Sequence, residues 1–562
     1  MSRRTPWCSV VEALAAEGVE YVFGLPGNPR HLIDDLRTRD DITFVLVRDE
    51  PSAVACAYAY ARVSGRPGVC FSNPGPGITN LATGLLEATS GSVPVIALAN
   101  GVVDAHDGMG AFQELDGVAL LRPVTKWAVR VTTPAKTPWV MQRAFHLATG
   151  ARPGAVFIEI PSDIGIATAE IPDYRPRPPA ARSRPAGDDV AAAAQAIAAA
   201  DRPMLLCGAG AVLSGAAGQV AALSTLVGMP VFATPGGRGI QAEDADLFMG
   251  LVGLYFSDVG KSWYLASDLL LSVGTRLEAF STNSWQYWPQ KAAFIQLDVE
   301  SAAIGMNRRP DLVLLGDAAL GLEDLCGAVA PLVDRDARDR RAAEIADAKT
   351  AYQTLVDADA AERHRPIRAR QVVAAVNRVF GPDTILVKEN GAADLWCYYW
   401  PYYKVLDVGD CVPMAEQTAM GMGIVGAIGA KLARPDKKVV CFAGDGAMQM
   451  AMKELATAAE WGCGVTWIVL NNRALGWVQY HQILLGQEPF ATDFRVSPDF
   501  AAIARAQGCE GIRVAEPGAV DDALATALQA NQRGVPALVD VDIERHDYHP
   551  HFVELHTARL RQ

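Results

Sequence analysis

The chain has 562 residues, of which half are hydrophobic, and a formal net charge of −13. This length predicts several domains with large apolar cores, and the acidic balance argues against a nucleic-acid-binding protein, which needs clustered Lys and Arg. The ten cysteines form no CxxC pair, so we expect small buried hydrophobes in a reducing compartment. No apolar run reaches the roughly 18 residues of a membrane span, and the N-terminus lacks a signal-peptide pattern. A cytoplasmic protein is therefore predicted.

Residues 5–165 alternate short apolar runs with helical segments. Tyr21–Gly24 and Phe44–Val47 are predicted strands, and helices are predicted at residues 31–37 and 52–63. This βαβα order is typical of a parallel α/β sheet. Glu50 follows the second strand at the sheet edge where such folds bind ligands. From position alone, however, Glu50 is better explained as a solvated acid at the beginning of a helix.

The middle of the chain repeats the α/β pattern after a linker. Residues 171–189 are rich in Pro, Arg and Ala, which predicts an extended segment. Strands are then predicted at residues 204–207, 231–233, 269–273 and 294–297. Gly208-Ala209-Gly210 follows the first of these strands, although such a turn alone is a weak sign of a nucleotide site. Residues 333–366 are strongly charged with helical periodicity, which predicts a solvated helical connector.

The stretch from Val439 to Asn472 carries the most informative pattern. A buried strand is predicted to end at Gly444-Asp445-Gly446, followed by a helix at 449–461 and a second strand that ends in Asn471-Asn472. Parallel strands deliver their C-terminal ends to one sheet edge, so Asp445 and Asn472 are expected to meet there. One carboxylate, one amide oxygen and a nearby carbonyl suit Mg²⁺, and Gly446 lets backbone N–H groups approach a diphosphate.

These residues resemble the fingerprint of thiamine-diphosphate enzymes. Four further segments resemble the acetolactate synthase group, to which benzaldehyde lyase and pyruvate oxidase are related: SGRPGV at 64–69, NPGPGITN at 73–80, AFQE at 111–114 and MGMGIVGAIGAK at 420–431. The resemblance covers about residues 8–545. It implies an α/β fold with three doubly wound parallel-sheet domains, which are pyrimidine-binding (1–170), central (190–330) and diphosphate-binding (366–545), followed by a C-terminal tail (546–562).

The resemblance implies thiamine diphosphate and Mg²⁺ as cofactors. Asp445 and Asn472 would supply the side-chain metal ligands, and Ala474 a carbonyl ligand. Glu50 would contact the pyrimidine ring nitrogen and so promote loss of the thiazolium C2 proton. Met420 would support the bent cofactor, unless it is a core methionine on a helix. The other implied cofactor-binding residues are Gly27, Asn80, Glu389, Asn390, Gly391, Gly444, Gly446, Ala447 and Gly476.

On the substrate side, the resemblance places Phe112 and Gln113, although core packing explains Phe112 equally well. Arg276 would bind the carboxylate of a second 2-keto acid, with a surface or flavin-pairing arginine as an equal alternative. Trp477 and His481 stand where the group has methionine and tryptophan, so a reshaped acceptor pocket is predicted. His481 is either a proton donor to the product or a surface residue.

The implied activity is decarboxylation of a 2-keto acid followed by carboligation to a second carbonyl compound. A non-oxidative 2-keto acid decarboxylase, or a 2-hydroxyacyl-CoA or aldehyde lyase, stays open as an alternative. An inactive relative is disfavoured because Glu50, Asp445 and Asn472 are all present. The resemblance further implies a homodimer or homotetramer in which Glu50 and Asp445 of different subunits meet.

Two points stay open at the level of sequence. The central domain binds FAD in some members of the group, ADP or a CoA moiety in others, and nothing in many, so FAD binding is undecided. Residues 545–551 contain three of the nine histidines. A metal cluster is one interpretation, and a solvated tail over the active-site entrance is the preferred one.

Overall fold

The computed structural model describes residues 2–27, 32–178 and 181–559. It contains three six-stranded sheets, one after another along the chain, and every strand pair in them is parallel. Central strands such as Val95–Gly101 and Val465–Asn471 are buried over their whole length, as continuous apolar runs covered on both faces require. The predicted α/β class with three parallel-sheet domains is therefore confirmed.

The N-terminal sheet has the strand order β3-β2-β4-β5-β7-β6, and a two-stranded antiparallel sheet joins β1 to β8. The elements are β1 (Ser2–Arg4), α1 (Pro6–Ala16), β2 (Tyr21–Gly24), α2 (Leu32–Leu36), β3 (Thr43–Leu46), α3 (Glu50–Ser64), β4 (Gly68–Ser72), α4 (Pro76–Ser90), β5 (Val95–Gly101), α5 (Gly117–Leu121), β6 (Trp127–Arg130), α6 (Thr137–Thr149), β7 (Val156–Pro161), α7 (Ser162–Ile166) and β8 (Ala169–Ile171). Of the helix predicted at 31–37, His31 lies outside the described residues.

The central sheet has the order β11-β10-β9-β12-β13-β14. Its elements are α8 (Gly187–Ala199), β9 (Pro203–Cys207), α9 (Ala209–Leu213), α10 (Ala217–Val227), β10 (Val231–Ala233), β11 (Phe248–Leu251), α11 (Asp258–Leu265), β12 (Leu269–Val273), α12 (Ala279–Thr282), β13 (Ala293–Asp298), β14 (Leu312–Leu315), α13 (Ala318–Val329) and α14 (Arg335–Ala361). The sequence analysis missed β11 and β14, which are the edge strands. The charged connector is the helix α14, and Asp334 caps it by accepting from two backbone N–H groups.

The C-terminal sheet has the order β16-β15-β17-β18-β20-β19. Its elements are α15 (Ala369–Phe380), β15 (Thr384–Lys388), β16 (Cys411–Val412), α16 (Met422–Ala433), β17 (Lys438–Gly444), α17 (Asp445–Ala451), α18 (Leu455–Glu460), β18 (Val465–Asn471), α19 (Gly476–Leu484), α20 (Phe500–Ala506), β19 (Glu510–Val514), α21 (Val520–Gln532), β20 (Ala537–Asp542) and α22 (Pro550–Arg559). The helix predicted at 449–461 begins earlier, at Asp445, and is interrupted by a 3-10 turn at Met452–Glu454.

The described residues form two compact units. The first comprises the described residues within 1–181, 417–436 and 451–463, and the second comprises the other described residues. Within the first unit, α16 packs closely on α3 because its contact face carries glycines. A Cβ atom on Gly429 would collide with the carbonyl oxygen of Cys56, and one on Gly426 would lie 3.2 Å from the Cβ of Ala59. The sequence that precedes α16 is thereby brought to the helix that begins at Glu50.

Within the second unit, a buried ion pair links the central sheet to the segment that follows β15. Arg238 Nε donates to Glu243 at 2.7 Å, and its two terminal nitrogens donate to the carbonyl oxygens of Cys397 and Tyr403 at 2.6 and 3.1 Å. All of the charge is satisfied, which a fully buried guanidinium requires.

The ten cysteines are all free, eight of them buried and two intermediate, as predicted from their spacing. Among the described residues, no helix is long and apolar enough to cross a membrane.

Candidate active site

Glu50 is the first residue of α3 and is buried, with 8% of its surface exposed. The side-chain amide of Asn80 donates to its Oε2 at 3.0 Å. On the other side, a Cβ atom on Gly77 would lie 3.1 Å from Oε1, so the beginning of α4 packs directly against the carboxylate. A solvated acid at a helix end therefore does not describe Glu50.

The turn at residues 73–77 gathers the other predicted residues of this unit. Gly27 leaves no room for a Cβ atom because the Asn73 side chain occupies that place, and a Cβ on Gly75 would lie 3.0 Å from the Cβ of Gln113. Gln113 has a φ of 60°, an uncommon left-handed conformation for a residue with a side chain. The structure thus places Gln113 beside the turn that contacts Glu50.

Two alternatives considered for hydrophobic residues of the first unit are wrong. Phe112 is 88% exposed, so core packing does not account for it. Met420 is half-buried but lies before α16, which begins at Met422, so it is not a core methionine on a helix. Both side chains remain available for contacts with a ligand.

Asp445 is the predicted metal ligand of the second unit that contributes a carboxylate. It follows β17 directly, is 2% exposed, and its Oδ2 has no hydrogen-bond partner among the described residues. Burial raises the pKa of this carboxyl to about 7, opposed by hydrogen bonds from backbone N–H groups. Because Gly444 of β17 pairs with Leu470 of β18, the residues that follow each strand emerge at the same sheet edge.

Asn472 and Ala474 follow β18 at that edge and are both buried. Asn472 Oδ1 accepts from the backbone N–H of Ala474 at 3.1 Å, and Arg545 donates to the carbonyl of Asn472 at 3.3 Å. A Cβ atom on Gly476 would lie 2.6 Å from the Asn472 amide nitrogen, so only glycine leaves this side chain its place. A buried carboxylate oxygen without a partner, beside an amide and a carbonyl, fits a hard divalent cation.

The segment 389–391 lies at the same edge, because β15 pairs with β17 in register at Lys388 and Phe442. Lys388 Nζ donates to the carbonyl of Glu389 at 2.6 Å and contacts Asp394 Oδ2 at 3.1 Å. The Glu389 side chain is fully buried and accepts from the N–H of Asn390 at 2.9 Å. A Cβ atom on Gly391 would lie 2.7 Å from Asp394 Oδ1, so the ion pair contacts both ends of this three-residue segment. Sequence reasoning missed this pair, whose only signal was a lysine that ends an apolar strand.

The two glycines beside Asp445 differ in the space around them. A Cβ atom on Gly444 would meet nothing within 4 Å, whereas one on Gly446 would lie 2.9 Å from Leu475. Ala447, one residue further along α17, is 1% exposed. The open side at Gly444 is consistent with the close approach of a ligand to the backbone.

The predicted substrate residues of the second unit are differently placed. Arg276 forms an ion pair with Glu278, so a substrate carboxylate would compete with an internal one. Trp477 is half-buried, and its ring lies 4.4 Å from that of Phe552 and 6.2 Å from that of Phe280. His481 lies one turn further along α19 and is also half-buried. The packing of Trp477 on the C-terminal helix was not foreseen.

The prediction of a solvated C-terminal tail is wrong for His549 and His551, which are 2% and 4% exposed. The rings of Tyr399 and Trp396 lie 3.8 and 5.2 Å from that of His549 and exclude water from it. Burial therefore lowers the pKa of His549 well below its usual value. Among the described residues, no group of three or more His, Cys, Asp or Glu could hold a metal ion, so a histidine metal cluster is not observed.

Three glycines of the predicted nucleotide segments in the central domain, Gly210, Gly250 and Gly274, pack against other parts of the protein. A Cβ atom on Gly210 would lie 2.8 Å from the Cα of Gly274, so these two turns pack on each other. Gly250 has a φ of 96°, and a Cβ there would lie 3.3 Å from the Trp400 ring. These contacts give no support to a flavin site.

Comparisons with known proteins identify the domains of the chain. The chain matches three family models described as thiamine pyrophosphate enzyme domains: the N-terminal TPP binding domain at residues 8–120, the central domain at 190–325 and the C-terminal TPP binding domain at 391–541.

Curated relatives are similar over almost the full length. A probable acetolactate synthase large subunit from Methanocaldococcus jannaschii is 32% identical, with 95% of this chain and 91% of the relative covered. The acetolactate synthase large subunit of Parasynechococcus marenigrum is 32% identical, with 96% and 87% covered. That of Haemophilus influenzae is 30% identical, with 96% and 95% covered.

Proposed function

The chain belongs to the acetolactate synthase-like group of thiamine pyrophosphate enzymes, and from this we propose that it decarboxylates a 2-keto acid and joins the remaining carbon unit to a second carbonyl compound. Thiamine diphosphate and Mg²⁺ are the proposed cofactors. When bound, thiamine diphosphate supplies a carbon nucleophile and an electron sink for the loss of CO₂.

The observation that carries the proposal is the group of three residues, Asp445, Asn472 and Ala474, at one edge of the C-terminal sheet. Asp445 presents a buried carboxylate oxygen without a partner, and Asn472 and Ala474 end at the same edge. With Ala474 contributing its carbonyl, these residues would hold Mg²⁺ and, through it, a diphosphate. The fixed segment 389–391 and the open side of Gly444 would face the diphosphate oxygens.

Glu50 is the proposed acid–base group. Asn80 fixes one carboxylate oxygen, so the carboxylate has a defined orientation for a proton at the pyrimidine ring of the cofactor. Gln113 and Phe112 would contact the 2-keto acid, and Met420, just before α16, would support the cofactor. Trp477 would form one wall of the acceptor site, with Arg276 and His481 as the proposed polar groups on that side.

The proposed assembly is a homodimer or homotetramer. By family resemblance, Glu50 of one subunit and Asp445 of another complete each site, so an isolated subunit would be inactive. In this arrangement each active site needs residues from two subunits, so oligomerisation is necessary for catalysis.

The test is product identification with the full-length protein, thiamine diphosphate and Mg²⁺. The protein is incubated with pyruvate and other 2-keto acids, with and without aldehyde acceptors, and products are identified by mass spectrometry. The absorption spectrum of the purified protein is recorded first, because a flavin would be visible there. Glu50→Gln serves as the inactive control.

A carbon–carbon coupled product that depends on Glu50 supports the proposal. Aldehyde and CO₂ without coupling would replace it by a non-oxidative decarboxylase. Cleavage of a 2-hydroxyacyl-CoA or a 2-hydroxy ketone, with no reaction of 2-keto acids, would replace it by a lyase.

A further inference from the structure

The loop that carries Phe112 and Gln113 has one buried side chain, Val102, directly after β5. It spans residues 102–116 between β5 and α5, and its largest hydrophobic side chains, Met109 and Phe112, are 76% and 88% exposed. Inside the loop, the Glu114 carboxylate accepts from the N–H groups of Gly108 and Ala111 at 2.9 and 2.7 Å. The loop therefore has its own internal structure but needs polar contacts to fix it on the sheet.

A buried carboxylate lies beneath both ends of the loop. Glu159 is in the middle of β7, 2% exposed, and pairs in register with Ala99 of β5. A Cβ atom on Gly101, which ends β5, would lie 2.5 Å from Glu159 Oε1, and one on Gly117, which begins α5, would lie 2.9 Å from Oε2. The two ends of the loop thus rest on the two oxygens of one carboxylate.

A single arginine connects this carboxylate to the body of the loop. Arg130 of β6 pairs in register with Glu159, and its Nε lies 3.8 Å from Glu159 Oε1. Its Nη1 donates to Asp107 Oδ2 at 2.6 Å, and its Nη2 lies 3.4 Å from Asp104 Oδ1. One guanidinium, 21% exposed, therefore faces two loop carboxylates on one side and the buried one on the other.

The other end of the loop is placed against the Glu50 half of the site. Gln113, in its left-handed conformation, packs on Gly75, and the same turn packs on Glu50 through Gly77. The loop is thus fixed at the turn beside Glu50, at Arg130, and at Asp104, whose backbone N–H donates to Asp163 Oδ1 at 2.9 Å. Loss of the Arg130 contacts would leave the segment between Asp104 and Gln113 freer to move.

We propose that Arg130 and Glu159 are positioning residues that hold the 102–116 loop, and with it Phe112 and Gln113, in the arrangement in which the loop meets the 2-keto acid. The assignment of Phe112 and Gln113 to the substrate rests on the proposed function, whereas the contacts of Arg130 and Glu159 do not. Neither residue touches the reacting atoms, and both act through the loop.

The electrostatic surroundings of Glu159 disfavour its charged form. The pKa of Glu159 is raised to about 7, chiefly by burial; Arg130 lowers it, and Asp116 and Asp107 contribute smaller increases. The groups that face the Glu159–Arg130 pair are Asp104, Asp107 and Asp116 of the loop segment, and no second cation is among the causes of this shift. A carboxylate that is expensive to bury is expected where its charge has a use, here to balance and orient the guanidinium.

The experiment compares Arg130→Met, Arg130→Lys and Glu159→Gln with Arg122→Met, an exposed arginine between the same loop and β6. Hydrogen–deuterium exchange is measured on the full-length protein with thiamine diphosphate and Mg²⁺ but without substrate. We expect peptides from 102–116 to exchange about tenfold faster in Arg130→Met, while α4 and the control variant stay unchanged. Arg130→Lys keeps the charge but not the three-way geometry, so it should restore protection only in part.

Steady-state kinetics then separate positioning from folding. In Arg130→Met the KM for the 2-keto acid is expected to rise about tenfold with a smaller change in kcat, because the loop contacts substrate without forming the nucleophile. Unchanged loop exchange in both Arg130→Met and Glu159→Gln would overturn the proposal, as would faster exchange with unaltered KM and kcat. Failure of the proposed function would show instead in the wild type, as the absence of any product from 2-keto acids.

Discussion

The amide of Asn80 donates a hydrogen bond of 3.0 Å to Oε2 of Glu50, although the two residues belong to different helices, α4 and α3. A neutral amide orients a carboxylate without removing its charge, which is what a proton-transfer group needs. Asn80 is exposed and therefore contributes little to the core, and its side chain donates to Glu50.

Removal of this contact separates orientation from chemistry. Glu50→Gln is expected to lower the rate of C2 deuterium exchange of bound thiamine diphosphate by about 10²- to 10⁴-fold, since the acid–base group is lost. Asn80→Ala is expected to lower it about tenfold, which is the value of one hydrogen bond to a charged group. Exchange is followed by proton NMR after acid quench.

Thr79→Ala is the matched control, because Thr79 is the exposed neighbour of Asn80 and donates only to the carbonyl of Pro76. Equal rates for Asn80→Ala and Thr79→Ala would show that the hydrogen bond has no part in the reaction.

Much of this architecture follows from local patterns. The buried strands around Asp445 and Asn472 are continuous apolar runs, and parallel pairing then brings their ends together without further information. The same argument places Glu50 after the C-terminal end of β3, where it begins α3. Edge strands such as β11 and β14 give a weaker signal, because each has four residues where β17 and β18 have seven, and each pairs with one neighbour only.

Contacts between distant charged side chains could not be predicted. Arg130 and Glu159 lie on adjacent strands only because the sheet order places β6 beside β7 at an edge. His549 was predicted as solvated from its polar neighbours, yet the rings that enclose it come from residues near 399, about 150 positions earlier. Local composition describes only the residues that are adjacent in sequence, whereas the surroundings of Glu159 and His549 are formed by residues that are distant in sequence and close in space.

The Asp445 carboxylate is expected to lower the stability of the cofactor-free protein, because its buried charge serves metal binding. Asp445→Asn removes a buried charge whose Oδ2 has no partner among the described residues, so the variant without cofactors should unfold at a higher temperature than the wild type. The increase in Tm that thiamine diphosphate and Mg²⁺ give the wild type should be lost. Differential scanning fluorimetry with each cofactor alone and with both measures this.

Asp542→Asn is the control for this comparison, since Asp542 ends the neighbouring strand β20 and pairs with Arg473 at the surface. A cofactor-induced shift of equal size in Asp445→Asn and Asp542→Asn would contradict the metal assignment.

The proposed sharing of each site between subunits makes two inactive variants complement each other. In a mixed dimer of Glu50→Gln and Asp445→Ala, one site would carry both changes and the other neither. Random mixing of subunits should then restore about a quarter of the wild-type activity, because half the dimers are mixed and each has one intact site. The variants are co-expressed with two different tags, and the sample purified on both tags, which contains mixed dimers alone, should reach about half of the wild-type activity.

If both residues of a site came from one chain, the mixed dimer would have two damaged sites and no activity. Each variant mixed with itself gives the baseline.

Glu159 is expected to reveal its burial in the pH dependence of stability. Its folded pKa, about 7, lies above the usual 4.5, so its contribution is complete below pH 4.5 and is lost as the pH rises through 7. This shift corresponds to about 3 kcal/mol in the free energy of unfolding. Glu159→Gln should therefore be close to the wild type in stability at pH 5 and more stable at pH 8, by chemical denaturation.

The exposed Glu170 in β8 provides the control, and Glu170→Gln should show no difference between the two pH values. A Glu159→Gln variant that is less stable than the wild type at pH 8 would mean that the ion pair with Arg130 outweighs the cost of burial.

The buried His549 predicts that the C-terminal segment loosens in acid. Because burial lowers the pKa of His549, the unfolded or undocked segment takes up a proton that the packed one cannot, and stability is lost as the pH falls below 6.5. Its ring is enclosed by Tyr399 and Trp396, so a phenylalanine should fill the same place without a charge to gain. His549→Phe is thus expected to keep the segment packed at pH 5, where the wild type becomes sensitive to limited proteolysis after β20.

His146→Phe, at an exposed position of α6, should behave as the wild type does. Equal cleavage of wild type and His549→Phe at pH 5, with both resistant at pH 8, would assign the acid sensitivity to another group.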